Sequence, residues 1–417
     1  MCLKLTYLFL LLTLVFSPAG SAQTSNWKDR QEYDLFLKMS QTADPKARLA
    51  LLSSWQEKYP QSDVAALRLE YYVATLAMLA QTDANQRQPL LNKCEELLKL
   101  HPKNANALYQ VALWGPVVGG ASPSADLLSK VDAAAKGFLN EADAAFAPAK
   151  KPAGISDQEF AKAKNFRLSV AHNALAWEAT VKKDLPAAEA EYKASLTVNP
   201  DQGATAAQYA RVLYEEKKYP EALFEFARAA QYAGPGPALA PASRSQVMDF
   251  FQKAYKDFHG SAEGSNQVLA EAKSDAFPPA NFSMESAADI AEKAAKALKD
   301  RMASDPAFAL WYTIRENLTG DQGDAFFDKS VKGALVPGGA QGVRAFSGTV
   351  ISVETHKVII GVEDPSQPDA ALEYSRPLPS ATLDKLKPGE KVEFEGVVST
   401  YTKGPYMLTF KDPKILD

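Results

Sequence analysis

The sequence predicts a mainly α-helical protein, a solenoid of helical hairpins, that ends in a small five-stranded β-barrel. Three observations lead to this prediction. Apolar residues recur at spacings of three and four from about residue 31 to residue 259. Two neighbouring stretches in that part align at a shift of 34 residues. After Pro337-Gly338-Gly339 the composition changes to β-branched residues in alternating patterns.

The first 22 residues have the layout of a secretory signal peptide. Met1 to Lys4 carry one positive charge, residues 5–16 are almost wholly apolar, and small residues lead up to Ala22. This predicts a signal peptide over residues 1–22 and an exported protein, periplasmic or secreted and of bacterial type. An uncleaved anchor is the alternative, although a membrane span needs roughly 20 apolar residues. We expect no transmembrane span after removal of the signal.

Composition and charge exclude several classes of protein. The hydrophobic content of 46% excludes a wholly disordered chain. The net charge is −4, whereas nucleic-acid-binding proteins usually carry a basic surface. We therefore expect no nucleic-acid partner. Removal of residues 1–22 leaves Cys94 as the one cysteine, which rules out an intrachain disulfide.

The two aligned stretches end near Gln202 and near Gly236, and each reads as two helices joined by a short turn. Small residues at matching positions let the helices approach closely, and aromatic residues fill the gap beside them. The predicted repeat-packing residues are Ala176, Ala188, Tyr192, Pro200, Ala210, Ala222, Phe226 and Ala229. A single hairpin cannot cover its own apolar face, so the units must stack.

These residues resemble the tetratricopeptide repeat, with its 34-residue period and its small–small–aromatic–small–proline pattern. Segments before residue 169 look like degenerate copies, with generic α-hairpins as the alternative for each. We therefore predict a tetratricopeptide-like domain over residues 27–260, with an unknown number of repeats. A helical cap or bridge follows over residues 261–337, and the barrel occupies residues 341–417.

Five strand-like segments follow the glycines: AFSGTVISV, KVIIGVE, ALEYS, KVEFEGVVST and PYMLTF. A short helix, SATLDKL, is predicted between the third and the fourth. This order resembles the oligonucleotide/oligosaccharide-binding (OB) barrel, with another small barrel or a sandwich as the alternative. Residues 341–417 hold nine Lys or Arg and eleven Asp or Glu, a balance of −2. Tyr401, Lys403 and Tyr406 form a small patch or cover the end of the barrel.

No catalytic motif is present. The four histidines do not stand at metal-ligand spacing, and the sequence holds no HExxH, CxxC, Walker loop or GxSxG elbow. We therefore expect no cofactor, no metal site and no catalytic residue. An enzyme with a composite site assembled from distant residues remains an alternative.

The resemblance implies a function in protein binding. In tetratricopeptide proteins the first helix of each hairpin lines a concave face that holds a peptide or a partner helix. The matching positions are Asn173, Trp177, Arg211, Tyr214 and Glu215. Packing of Trp177 between repeats is the alternative for that residue. We expect a non-enzymatic scaffold or adaptor with a protein or peptide partner. The sequence does not predict the oligomeric state. A carbohydrate or small-ligand module acting through the barrel is the alternative.

Overall fold

The computed structural model describes residues 27–273, 275–383 and 385–416. The predicted signal peptide, residues 1–22, lies outside these residues. The chain divides into an N-terminal unit that ends at Ser286 and a C-terminal unit that begins at Ala287. Within the described ranges no helix combines the length and the apolar composition needed to cross a bilayer.

The N-terminal unit is built from helices that pack in chain order. Successive helices from α1 to α11 contact one another, α5 also contacts α7, and α12 contacts α10. The predicted solenoid of helical hairpins is confirmed. The described helices of this unit are α1 (Arg30–Gln41), α2 (Pro45–Lys58), α3 (Ala65–Leu79), α4 (Arg87–Leu100), α5 (Ala105–Gly119), α6 (Ala125–Ala145), α7 (Asp157–Val181), α8 (Leu185–Val198), α9 (Gly203–Glu215), α10 (Tyr219–Gln231), α11 (Pro241–His259) and α12 (Ser265–Glu271).

Three hairpins end in the same way. Helices α2, α4 and α8 each stop two residues before a proline, at Tyr59-Pro60, His101-Pro102 and Asn199-Pro200. Proline has no N–H with which to extend a helix, and it disfavours helical geometry in the residue before it. The chain therefore leaves each of these helices at a defined residue and turns towards the next hairpin.

The turn inside each clear repeat has one backbone form. Lys183 after α7 and Lys217 after α9 both have left-handed φ angles, of 62° and 63°. The N–H of the following residue then bonds back across the end of the helix, from Asp184 to the Ala179 carbonyl and from Lys218 to the Leu213 carbonyl, each at 2.9 Å. Because the 34-residue shift relates the two turns, the second helix of each repeat starts in the same geometry.

Alanine side chains occupy the tightest contacts of these repeats. Five alanines of the repeats have 0% exposure: Ala176, Ala188, Ala210, Ala222 and Ala229. Tyr192 and Phe226 are buried beside them, at 6% and 4% exposure, while Pro200 is exposed at the end of its hairpin. Small side chains therefore lie fully buried where these helices pack.

The C-terminal unit combines a barrel with a few helices. Its helices are α13 (Ala287–Ser304), α14 (Pro306–Thr319), α15 (Gly323–Phe326) and α16 (Ser380–Leu383), with a π-helical turn at Phe327–Val331 after α15. Its strands are β1 (Leu335–Val336), β2 (Phe346–Glu354), β3 (Lys357–Gly361), β4 (Ala370–Glu373), β5 (Lys391–Lys403) and β6 (Tyr406–Leu416).

Strands β2 to β6 close into a barrel. Strand β2 pairs antiparallel with β3, and β3 pairs antiparallel with β4. Strand β4 then pairs parallel with β6, and β5 pairs antiparallel with both β6 and β2. The short strand β1 adds to β5, and α16 lies between β4 and β5. The predicted five-stranded, OB-like barrel and the short helix between its third and fourth strands are confirmed.

A tryptophan from outside the strands fills the barrel core. Trp311 of α14 has 0% exposure, and its ring lies 5.0 Å from Phe346 and 6.2 Å from Phe410, between ring centroids. Its indole N–H donates to Oδ2 of Asp369 at 3.2 Å. Helix α14 is thus part of the hydrophobic core of the C-terminal unit.

Replacement of Ala188 by leucine tests the close packing of the repeats. We expect Ala188→Leu to lower the free energy of unfolding by about 1–3 kcal/mol, because overpacking a filled core forces strained rotamers. Ala190→Leu on the same helix is the matched control, since Ala190 is exposed. Urea denaturation of the two variants measures the difference, and equal midpoints would show that the space around Ala188 is not filled.

Candidate functional site

The five predicted partner-binding residues lie on two helices. Asn173 and Trp177 lie one turn apart on α7, and Arg211, Tyr214 and Glu215 share one side of α9. The structure connects the two helices through Asn173 but does not bring all five side chains into one cluster. The five residues therefore have different neighbours.

Asn173 takes part in a junction between repeats. Its side-chain amide donates to Oγ1 of Thr205 at 3.0 Å and to Oε1 of Gln202 at 3.2 Å. The amide of Gln202 in turn donates to the carbonyl of Asn199 at 3.0 Å. This network holds the start of α9 against α7, so the side-chain NH2 group of Asn173 is occupied within the protein.

Trp177 packs against the end of α5. Its indole N–H donates to the carbonyl of Gly120 at 2.9 Å. A Cβ placed on Gly119 would lie 3.0 Å from Cζ2 of the Trp177 ring, so a glycine is needed for this close approach. The half-buried ring of Trp177 thus lies between repeats. Packing of this kind was the alternative to a place on the binding face.

Tyr214 belongs to an aromatic cluster that the sequence did not predict. Its ring centroid lies 5.1 Å from Tyr219 and 5.4 Å from Phe250, in edge-to-face arrangements. Phe226 lies 4.8 Å from Phe250 and joins α10 to the same cluster. Phe250 of α11 is 40% exposed. The pair Phe250-Phe251 in DFFQKAY was a signal, because adjacent helical residues point in directions about 100° apart, and on a surface helix the two rings then meet different surroundings.

Charged side chains surround this aromatic surface. Arg211 and Glu215 of α9 are exposed, and so is Lys253, one turn after Phe250 on α11. Arg211 reaches Oε1 of Gln208 at 3.4 Å, a weak contact that leaves most of its guanidinium to solvent. We call the set Arg211, Tyr214, Glu215, Phe250 and Lys253 the α9–α11 patch. It presents apolar rings beside charges of both signs.

The described residues offer no obvious reaction centre. Among them no three His, Cys, Asp or Glu side chains are placed to hold a metal ion. Cys94 is fully buried, and burial raises the pKa of its thiol far above its usual range, so the thiolate that acts as a nucleophile does not form. His172 pairs with Glu191 through Nδ1 at 2.7 Å, between α7 and α8.

The aromatic residues of the last hairpin contact other parts of their own unit. The Tyr401 hydroxyl donates to the carboxylate of Asp324, and its ring lies 4.7 Å from that of Phe327. Lys403 lies 3.8 Å from the same carboxylate. The hydroxyl of Tyr406 is buried, and its ring packs edge-on against Trp311. These side chains therefore cover the barrel surface from inside the unit.

A buried carboxyl group lies beneath this region. Asp369 accepts hydrogen bonds from the backbone N–H groups of Val362 at 2.7 Å and Glu363 at 2.9 Å, and from Trp311. Burial nevertheless raises the pKa of Asp369 to about 6, because desolvation of the charged form outweighs these bonds and the charge of Arg315. Asp369 thus anchors α14 to the barrel.

Carbon-13 NMR of the aspartate carboxyl groups tests this environment. We expect Asp369 to titrate near pH 6. Asp412 is the internal control, because two hydrogen bonds from Ser375 hold its pKa below the usual range. Since folding raises the pKa of Asp369, its ionisation lowers the free energy of unfolding as the pH rises from about 4 to about 6. A midpoint for Asp369 at or below that of Asp412 would contradict this account.

Comparison with known proteins leaves the family unassigned. No protein-family model matches the sequence, and no curated protein matches it significantly. The resemblance to tetratricopeptide repeats therefore rests on the residues of this chain: the 34-residue shift, the buried alanines and the repeated turns at Lys183 and Lys217.

Proposed function

We propose that this protein is a non-enzymatic scaffold or adaptor of the tetratricopeptide type, exported to the periplasm or cell envelope, that binds a protein or peptide partner. The N-terminal sequence pattern supports the export. The hairpin stack supports the binding role, because stacked hairpins present an extended surface that a second chain can follow.

The exposed ring of Phe250 is the observation that carries the proposal. Among the large apolar side chains exposed in the described ranges, Phe250 is the aromatic one. It rests on Tyr214, which lies one turn from Arg211 on α9, and aromatic residues and arginine dominate the energetics of protein interfaces. Exposed apolar area is unfavourable in water, and a partner that covers the ring removes this penalty.

The charges of the α9–α11 patch define the kind of partner that fits. Arg211 is cationic, and Glu215 lies one turn from it on α9. Lys253 of α11 forms an ion pair with Asp257 on its own helix. A complementary segment places an apolar side chain over Phe250 and charges of both signs on either side. An amphipathic helix or a short peptide supplies this pattern, with its apolar anchors in the centre and its charges at the rim.

The alternative of a carbohydrate-binding barrel has less support. Its aromatic patch, Tyr401 and Tyr406, already packs against α14 and against the chain around α15. A sugar ligand stacks on exposed aromatic faces, and both of these rings are half-buried in the C-terminal unit. We therefore place the binding function on the helical hairpins.

Crosslinking in the native envelope tests the proposed surface. We expect a protein partner to be captured by the wild-type chain and lost with the double variant Arg211→Glu, Phe250→Asp, because the variant reverses a rim charge and removes the apolar anchor. Mass spectrometry of the captured complexes measures this loss.

Lys162→Glu is the matched control for this experiment. It reverses an exposed charge near the start of α7, away from the α9–α11 patch, and we expect it to leave capture unchanged. Circular dichroism establishes that each variant is folded. Equal capture by the wild type and by the folded double variant would exclude the α9–α11 patch as the binding surface.

A further inference from the structure

A cavity of about 290 Å³ lies among α8, α9 and α10, and Phe277 and Pro278 of the chain after α12 form part of its wall. Lys193, Lys218 and Glu221 line it and are exposed, so the cavity communicates with solvent. Small-molecule sites usually span about 300–1,000 Å³. This volume therefore suits a short aliphatic chain better than a large ligand.

Glu225 of α10 lines this cavity with 0% exposure. Neither of its carboxyl oxygens has a hydrogen-bond partner within the described part of the chain. Arg228, nearly one turn further along α10, donates to the Pro200 carbonyl. Burial raises the pKa of Glu225 to about 8, and the nearby charge of Arg228 only partly opposes this rise. The group is therefore a neutral acid at neutral pH.

The other charged groups that line the cavity balance one another. Two more carboxylates and two lysines line the cavity: Glu189, Glu221, Lys193 and Lys218. Lys218 is already paired with Glu189 at 2.5 Å. Glu221 and Lys193 are opposite in charge, so ionisation of Glu225 leaves one uncompensated negative charge, which a cationic ligand neutralises. The described carboxylates do not converge as metal ligands, which directs the choice to an organic cation.

Aromatic rings complete the wall. Tyr209 of α9 meets Phe277 edge to face, with ring centroids 6.5 Å apart, and both line the cavity. Burial raises the pKa of Tyr209, and the neighbouring carboxylates, Glu189 first, add to this rise. Its hydroxyl therefore stays protonated and neutral. Neutral aromatic rings attract ammonium and guanidinium groups through their π-electrons.

We propose that this cavity binds the primary ammonium or guanidinium group of a short aliphatic chain, with the carboxylate of Glu225 as its partner. When the cation enters, Glu225 gives its proton to solvent and accepts charge-assisted hydrogen bonds from the ligand. A free diamine or guanidino-amine and a Lys or Arg side chain of another protein carry the same chemistry. The inference stands independently of the α9–α11 patch.

Isothermal titration calorimetry of the full chain tests the proposal with 1,4-diaminobutane, agmatine and a short lysine-containing peptide. We expect at least one of them to bind at about pH 7 with release of about one proton, seen as a heat that depends on the ionisation enthalpy of the buffer. Binding of the amines alone indicates a free ligand, and binding of the peptide alone indicates a protein side chain. Several charged and titratable groups surround Glu225, and their charges influence the measured proton release. They are Glu189, Lys193, Tyr209, Lys218, Glu221 and Arg228.

Glu225→Gln identifies the group that binds. Glutamine matches the neutral acid in shape but cannot ionise, so we expect the affinity to fall by about 30-fold or more and the proton release to disappear. Glu191→Gln on α8 is the matched control, because Glu191 pairs with His172 and does not line the cavity. Absence of binding by all three ligands, or equal affinity in folded Glu225→Gln, overturns the proposal. If the variant does not fold, binding of the wild type without proton release overturns it as well.

Discussion

The close approach of alanine-lined helices is the constraint on which the N-terminal unit depends. Ala176, Ala188, Ala210 and Ala222 are fully buried where neighbouring helices meet. Interiors packed to crystal-like density leave no room for a larger side chain at such contacts. Because the backbones come so close, each hairpin covers the apolar face of the one before it, and the stack continues until α11.

This close packing also decides the state of the polar groups that it encloses. Asn173, Gln202 and Thr205 are joined by hydrogen bonds that hold the start of α9 against α7. Glu225 has no such partner, and its carboxyl group keeps its proton instead. The same stacking thus produces a rigid junction at one place and a group that responds to a cation at another.

The C-terminal unit depends on a residue that its strands do not supply. Trp311 enters the barrel core from α14 and is held by Asp369, which also binds two backbone N–H groups near the end of β3. The rings of the β5–β6 hairpin then pack around the helices that precede the barrel. Barrel and helices therefore form one hydrophobic core.

The sequence by itself determined the local features of the fold. The 34-residue period, the prolines that follow α2, α4 and α8, and the alternation in KVEFEGVV located the hairpins and the strands. These signals were readable because helix and strand periodicity depends on residues only two to four positions apart. The burial of the aligned alanines follows from the same regularity.

Tertiary structure alone decided which distant residues meet. It placed Phe250 on Tyr214, Trp311 inside the barrel and Glu225 beside a cavity wall that includes Phe277. Trp177 and Asn173, which family resemblance placed on the binding face, make contacts between repeats. Each of these outcomes depends on how much space remains between helices after stacking, and that space is set by side chains remote in sequence.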